Sequence, residues 1–480
     1  MTTSVNLRKI LHRKNPEFVT PAPFTTGAVM FNSSSRHSKQ LQYFLQSNTI
    51  AWMYDPNEDA WLELPSPALT NAIGVGAAGI CTPIGPSGTV TAGTTSTLTT
   101  SLNLQRDLRG FKIRITAGPN AGLDLPILTN TTGAGSIVTV SAQGSAFTAA
   151  NTFTLLTTRW FVFAGATLGA AGFRYYDFAL NTWTTGGLAS VITAATVWTV
   201  DGRLIATPSI VDGNLTSFST GTLSAGGATV CTTTKTWTAS QWINYQVRIT
   251  AGTGAGQTRT ITANTGGANC TFTVGSSWTV TPDATSVFSI EGNDDFLYLL
   301  GNNNVAMYRY QISNTTWTQL SPGVARSAAP VAGASGHWMW GGPGDDSDTT
   351  WNNEAAIISG RRIYSFRGNS TAVDYYDIPS NAWTSTVPYS PAATTIASTG
   401  TKYAILKGRY LAILQGGTNR IYKFDPVKSE IIPLTQFATT QGAAVIGDTM
   451  FDITYTDTGT ITWIYILLNT STIMLRIPLI

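Results

Sequence analysis

Apolar residues gather along this chain in short runs, among them Trp160 to Ala164, Phe296 to Leu300, Arg362 to Phe366 and Tyr410 to Leu414. Runs of about five residues flanked by turn formers predict strands rather than helices. Downstream of each run an aromatic is followed seven residues later by a large apolar residue, across a polar turn. The copies are Tyr176-Asp177 to Trp183, Tyr310 to Trp317, Tyr376-Asp377 to Trp383 and, with Ile in the Trp position, Phe424-Asp425 to Ile431; a further copy is Tyr54-Asp55 to Trp61. Asp, Asn, Pro and Ser between the two aromatics are hairpin-turn residues. The repeating unit is therefore three or four antiparallel strands. So small a sheet cannot bury both faces alone, and units that pack radially on one another make a propeller.

Spacing sets the number of units. Tyr376 and Phe424 are 48 residues apart and Tyr310 and Tyr376 are 66 apart, against a period of about 50 for kelch blades. The segment from Trp463 to Ile477 repeats the strand-turn-strand form, which brings the expected count to six, with five or seven as the alternatives. An N-terminal strand pairing with C-terminal ones would close the ring and remove its exposed sheet edges. The aromatic pairs, together with Gly416-Gly417 and Gly341-Gly342, resemble the kelch repeat. That resemblance implies four-stranded blades and covers about two thirds of the chain. The repeat Tyr and Trp residues are expected in the blade cores.

Two intervals are too long for one unit. Tyr54 to Tyr176 spans 122 residues and Tyr176 to Tyr310 spans 134. The extra lengths are related: Phe111-Lys-Ile-Arg114-Ile-Thr-Ala-Gly118-Pro-Asn-Ala-Gly122 with Ile127-Leu-Thr-Asn130-Thr, and Tyr245-Gln-Val-Arg248-Ile-Thr-Ala-Gly252-Thr-Gly-Ala-Gly256 with Ile261-Thr-Ala-Asn264-Thr. Alternating Val, Ile and Thr with Gly-rich turns predict two small β-sandwiches or barrels. Each falls between the first and second strands of a blade, so both should rise from one face. The expected organisation is an extended basic arm over 1–40, propeller over 41–87, a first inserted module over 88–157, propeller over 158–216, a second module over 217–290, and the remaining blades with the closure over 291–480.

Composition agrees with an all-β chain. Of 480 residues 42% are hydrophobic and only 11% charged, with 46 Gly and 14 Trp, so the surface is clothed mainly in Thr, Ser, Asn and Gly, which suit strands and turns. A net charge of +3 argues against a general grip on nucleic acid, which needs concentrated Lys and Arg. The basic residues Arg8, Lys9, Arg13, Lys14, Arg36 and Lys39 concentrate in the N-terminal arm, which reads as solvated or partner-bound. No apolar h-region opens the chain and no run reaches membrane-spanning length, so the expectation is a protein made in a cytoplasm with no membrane insertion. Cys81, Cys231 and Cys270 have no metal-ligand spacing and are expected as buried thiols.

Candidate chemistry is sparse, and no residue is assigned a catalytic, cofactor-binding or metal-binding role. Only His337, beside Trp338 and Trp340, could serve a nucleophilic device in the folded body, since His12 and His37 lie in the arm. Gly118 to Gly122 and Gly252 to Gly256 lack the following Lys-Ser/Thr and helix of a phosphate loop and are expected as tight turns. Asp457-Thr-Gly459-Thr-Ile-Thr462-Trp463 approaches a sialidase Asp box but places its Thr-Trp one residue late. Glu63, Glu291 and Glu354 offer carboxylates without a telling spacing. The cluster Asp345, Asp346, Asp348 and Glu354 lacks the order of an EF-hand and reads as a solvated loop.

The module signature, with Trp278-Thr-Val-Thr-Pro282-Asp283 in the second copy, resembles modules that recur in bacteriophage virion proteins. The architecture also resembles the nozzle subunits that close the tail tubes of short-tailed phages. These resemblances imply a non-enzymatic structural component of a virion, a tail, nozzle or neck protein assembling as a homo-oligomeric ring. Its neighbours would be adaptor or portal proteins, with DNA passing through the lumen without specific binding. The alternatives are a receptor- or glycan-binding module on a fibre, collar or capsid, and a sialidase-like or lyase-like enzyme.

Overall fold

The computed structural model describes residues 17–18, 22–23, 31–34, 41–69, 78–163, 173–184, 203–206, 210–211, 214–215, 217–300, 305–329, 336–338, 362–368, 370–387, 401–406, 410–425, 430–436, 449–455, 461–467 and 474–479. All regular structure among them is β.

Among the described residues, six antiparallel sheets have four strands each. In chain order the first is Phe31–Ser34, Gln42–Leu45, Ala51–Asp55 and Ala60–Glu63. The second is Ala78–Thr82, Arg159–Phe163, Phe173–Asp177 and Thr182–Trp183. The third is Arg203–Ala206, Phe296–Leu300, Met307–Gln311 and Thr316–Gln319. The fourth is Gly336–Trp338, Arg362–Phe366, Val373–Asp377 and Ala382–Val387. The fifth is Lys402–Leu406, Tyr410–Leu414, Arg420–Asp425 and Glu430–Gln436. The sixth is Thr449–Tyr455, Ile461–Leu467 and Met474–Leu479, completed by Glu17–Phe18 from the other end of the chain. There Glu17 pairs with Arg476 and Phe18 with Leu475.

The first strands of neighbouring sheets touch in a closed cycle: Phe31–Ser34 meets Ala78–Thr82, which meets Arg203–Ala206, then Gly336–Trp338, Lys402–Leu406, Thr449–Tyr455 and Phe31–Ser34 again. This is the arrangement of a β-propeller, with those strands innermost. Two stretches of the expected arm thus lie in sheets, at 17–18 and 31–34; His12 and His37 lie outside the described residues.

Strand alternation explains the short apolar runs. Successive side chains point to opposite faces, and here both faces are covered by neighbours. In the second sheet Trp160 and Val162 join the core shared with the first sheet, whereas Phe161 and Phe163 join the core shared with the third. Leu297 and Leu299 face the second sheet while Phe296, Tyr298 and Leu300 face the fourth. Leu411 and Ile413 face the fourth while Ala412 and Leu414 face the sixth. A strand buried on both faces must be apolar throughout, which is why these runs lack a polar-apolar alternation.

All five seven-residue pairs lie directly opposite one another in hairpins: Tyr54 with Trp61, Tyr176 with Trp183, Tyr310 with Trp317, Tyr376 with Trp383 and Phe424 with Ile431. The Tyr176, Tyr310, Tyr376 and Phe424 pairs share a core with the preceding sheet. Each hairpin is a wedge directed backward around the ring.

The two long insertions lie between first and second strands, in the second and third sheets. The second insertion is a closed six-stranded barrel of Ser217–Ala225, Val230–Thr233, Thr271–Val274, Thr258–Asn264, Gln246–Ala251 and Val287–Glu291. It has its own core, including Phe218, Trp237, Trp242, Ile249, Phe272 and Phe288, and its ends meet where Ser217 pairs with Glu291. The first insertion runs through the same neighbour order, Asp124–Pro126, Lys112–Ala117, Thr152–Leu156, Ser87–Gly93, Thr97–Thr100, Ile137–Thr139 and Thr129–Asn130, as a seven-stranded sheet. The strand matching Thr258–Asn264 is there split into two, and Pro126, which has no N–H to give a ladder, stands at the break. The first module's core is continuous with that of the first two sheets.

Candidate functional site

The most constructed region outside the ring is where the two modules meet. Residues 134 apart correspond, so Arg114 matches Arg248 and Gly122 matches Gly256. In each module the strand carrying the arginine slips register against its neighbour, between Ile115 and Ala117 in the first and between Ile249 and Ala251 in the second. Such a bulge leaves one residue unpaired and re-aims it. That residue is Thr116 or Thr250, and its carbonyl sits against the other module. A Cβ on Gly122 would run into the Thr250 carbonyl, and a Cβ on Gly256 into the Thr116 carbonyl. Both glycines also have positive φ, 91° and 90°, so space and backbone conformation both demand glycine. The contact is reciprocal, the signature of a twofold relation.

Beside it lies a buried ionic cluster. Arg114 donates to Asp124 through Nε at 2.8 Å and Nη2 at 2.9 Å. Arg248 donates from Nε to Glu291 at 3.0 Å, from Nη1 to the Gly122 carbonyl at 2.8 Å and from Nη2 to Asp124 at 3.3 Å. Glu291 also stands 3.7 Å from Arg114. Two guanidiniums and two carboxylates balance in a place where an unpaired charge would be costly. Burial pushes the Asp124 carboxyl up, but the hydrogen bonds and charge of Arg114, with Arg248 and Lys112, outweigh it and hold the carboxyl below its ordinary range. Burial likewise works against the Arg114 cation, and Glu291 and Asp124 more than restore it. A carboxyl held ionised in this way is unsuited to act as a general acid.

The first module is also tied to the turn of its own sheet's hairpin. Gln105 N donates to the Ala179 carbonyl, Arg106 Nη2 donates to Asn181 at 2.8 Å, and Phe111 packs on Phe178. Asn293 Nδ2 reaches the Asn244 carbonyl at 2.9 Å at the base of the second module. Two recesses flank the junction. A groove of about 730 Å³ runs between the Gly-rich loops, with Asn120, Leu123, Gln257 and Val280 on its walls. A cleft of about 590 Å³ lies between both modules and the sheets below, bordered by Arg159, Arg259, Asp294 and Ser313.

The sequence candidates distribute as follows. Gly118 to Gly122 and Gly252 to Gly256 are turns, closed by Ala121 N to the Gly118 carbonyl and Ala255 N to the Gly252 carbonyl. Cys81, Cys231 and Cys270 are buried and form no disulfide. Glu63 ends an outer strand in solvent while Glu291 belongs to the ionic cluster, so these two carboxylates are not brought together as a pair. His337 lies on the innermost strand of the fourth sheet. Residues 345–354, the pair Gly341-Gly342 and 457–459 lie outside the described residues, although the strands flanking 457–459 pair as a hairpin, Tyr455 with Ile461. Among the described residues no group of three or more His, Cys, Asp or Glu is placed to hold a metal, and no helix is long and apolar enough to cross a membrane. The ionic cluster was missed in the sequence. Its signal was there: an arginine at the same place in both repeats of a chain so poor in charge.

No protein-family model and no curated protein matches this chain. Among solved structures it is similar to a chain of a mitotic checkpoint complex, at 9% identity and a TM-score of 0.36, over 100% of this chain and 95% of that one. It is also similar to a luciferin-regenerating enzyme, at 9% identity and a TM-score of 0.37, over 96% of this chain and 95% of that one. Likenesses this distant carry nothing about function.

Proposed function

We propose that this chain is a non-enzymatic structural component of a bacteriophage virion, a six-bladed kelch-like propeller carrying two inserted β-modules, and that it assembles as a ring in the tail, nozzle or neck. Adaptor or portal proteins would be its neighbours, and DNA would pass through the lumen without specific contacts. The observation that carries this reading is the junction of the modules. Two copies of one strand pattern, a closed barrel and a seven-stranded sheet, are locked together by reciprocal glycine contacts and a buried, balanced ionic cluster, which builds a fixed surface rather than an opening and closing site. The tryptophans whose side chains are described, Trp52, Trp61, Trp160, Trp183, Trp237, Trp242, Trp278, Trp317 and Trp383, are buried or half-buried, which disfavours a glycan-binding face made of those rings.

Light scattering on the purified chain, followed by electron microscopy of the assembled particle, tests the reading. A ring of fixed stoichiometry located in the tail or neck is expected. A chain that remains monomeric and cleaves sialosides or other glycans would overturn it.

A further inference from the structure

We infer that the bulged strand and Gly-rich loop, Arg248 to Gly256 and its counterpart Arg114 to Gly122, form a self-docking surface, and that the partner it fits is a second copy of the same module. A docked copy is already in place. The first module presents to the second the surface that the second presents to it, with Gly122 on Thr250 and Gly256 on Thr116. A reciprocal contact between corresponding residues is what an isologous dimer makes, and here the chain has made it between its own repeats.

The surface also suits a pair of identical modules. The second module contains both halves of the reciprocal contact, Thr250 and Gly256. Its Arg248 and Glu291 already pair within the module at 2.9 Å, so two copies would bring together two arginines and two glutamates, as balanced as the natural cluster. The Arg248 Nη1 that donates to the Gly122 carbonyl would find the Gly256 carbonyl of the other copy. Only the bond to Asp124 would be lost, because Thr258 occupies the corresponding position. Within the chain, tethering converts a contact between separate bodies into an intramolecular one, which raises its occupancy without any further contact.

The test uses residues 217–291 alone, a closed barrel with its own core and adjoining ends. Sedimentation over a range of concentrations is expected to show a monomer-dimer equilibrium. Amide chemical shifts that change on dilution should fall on Arg248 to Gly256. Gly256→Val should weaken the dimer at least tenfold, with the fold of that variant checked by circular dichroism. The shift map of the unaltered barrel stands without the variant. A barrel that stays monomeric at the highest attainable concentration would overturn the inference, and so would a dimer whose shifts map to another face. Neither outcome bears on the virion reading, which concerns the whole chain.

Discussion

Five residues after each repeat tyrosine the backbone turns left-handed: φ is 48° at Asp59, 50° at Asn181, 55° at Thr315 and 48° at Asn381. In three copies the residue is Asp or Asn, which tolerate that conformation, and its side chain accepts the tyrosine hydroxyl at 2.6 to 2.7 Å. Burial pushes the Tyr176 hydroxyl up to about 12, so it remains a donor at all ordinary pH. Thr315 departs from the pattern, since a β-branched residue there is strained by roughly 1 kcal/mol or more. Thr315→Asn should therefore stabilise the protein by about 1 kcal/mol; a thermal melt would show it, and an unchanged or lower Tm would refute the strain. The seven-residue pairing was legible in the sequence because a hairpin fixes that spacing. Its backward direction around the ring was not, because an apolar strand looks the same from either face.

The two insertions are one element used twice, and their kinship was legible because the same turn and strand chemistry recurs at a constant offset. The recurring asparagine peg was legible too, though not its purpose: Asn130 accepts from Leu108 N at 2.7 Å and Asn264 accepts from Trp242 N at 2.8 Å, each pinning the approach to its arginine strand. Their unequal attachment could not be read, since it depends on which cores merge in space. The second barrel keeps its core to itself, whereas Val90, Phe111 and Phe153 of the first share one with Tyr43, Trp160 and Trp183 of the ring. Replacing 217–291 by a short Gly-Ser linker should leave a folded ring that still melts cooperatively, with Arg114 and Asp124 still paired. Replacing 87–157 should cost far more, because emptying large aromatic sites costs about 3 to 5 kcal/mol each. Circular dichroism and gel filtration of both deletions would decide. Equal tolerance would mean that the shared core contributes little.

For the molecule as a whole, the ring and its closure could be read from repeat spacing and from the need to hide sheet edges. The strands at 17–18 and 31–34 could not, because Glu-Phe and Phe-Asn-Ser-Ser are too short and polar to stand out. Removing residues 1–18 would strip the outer strand from Met474–Leu479 and leave that strand as a bare edge. The truncated chain should melt several degrees lower and self-associate more readily, since unpaired edges recruit other chains. Melting curves and light scattering would show both, and an unaltered melt would mean that the pairing at 17–18 does not latch the ring. That pairing joins residues made more than 450 positions apart, Glu17 with Arg476 and Phe18 with Leu475. At about 5 to 20 residues per second, residues 17–18 would leave the ribosome roughly twenty to ninety seconds before residues 474–476. Five sheets can settle against one another in sequence during that interval, but the sixth cannot be completed until residues 474–479 have been made, so the nascent ring waits open with one strand held in reserve.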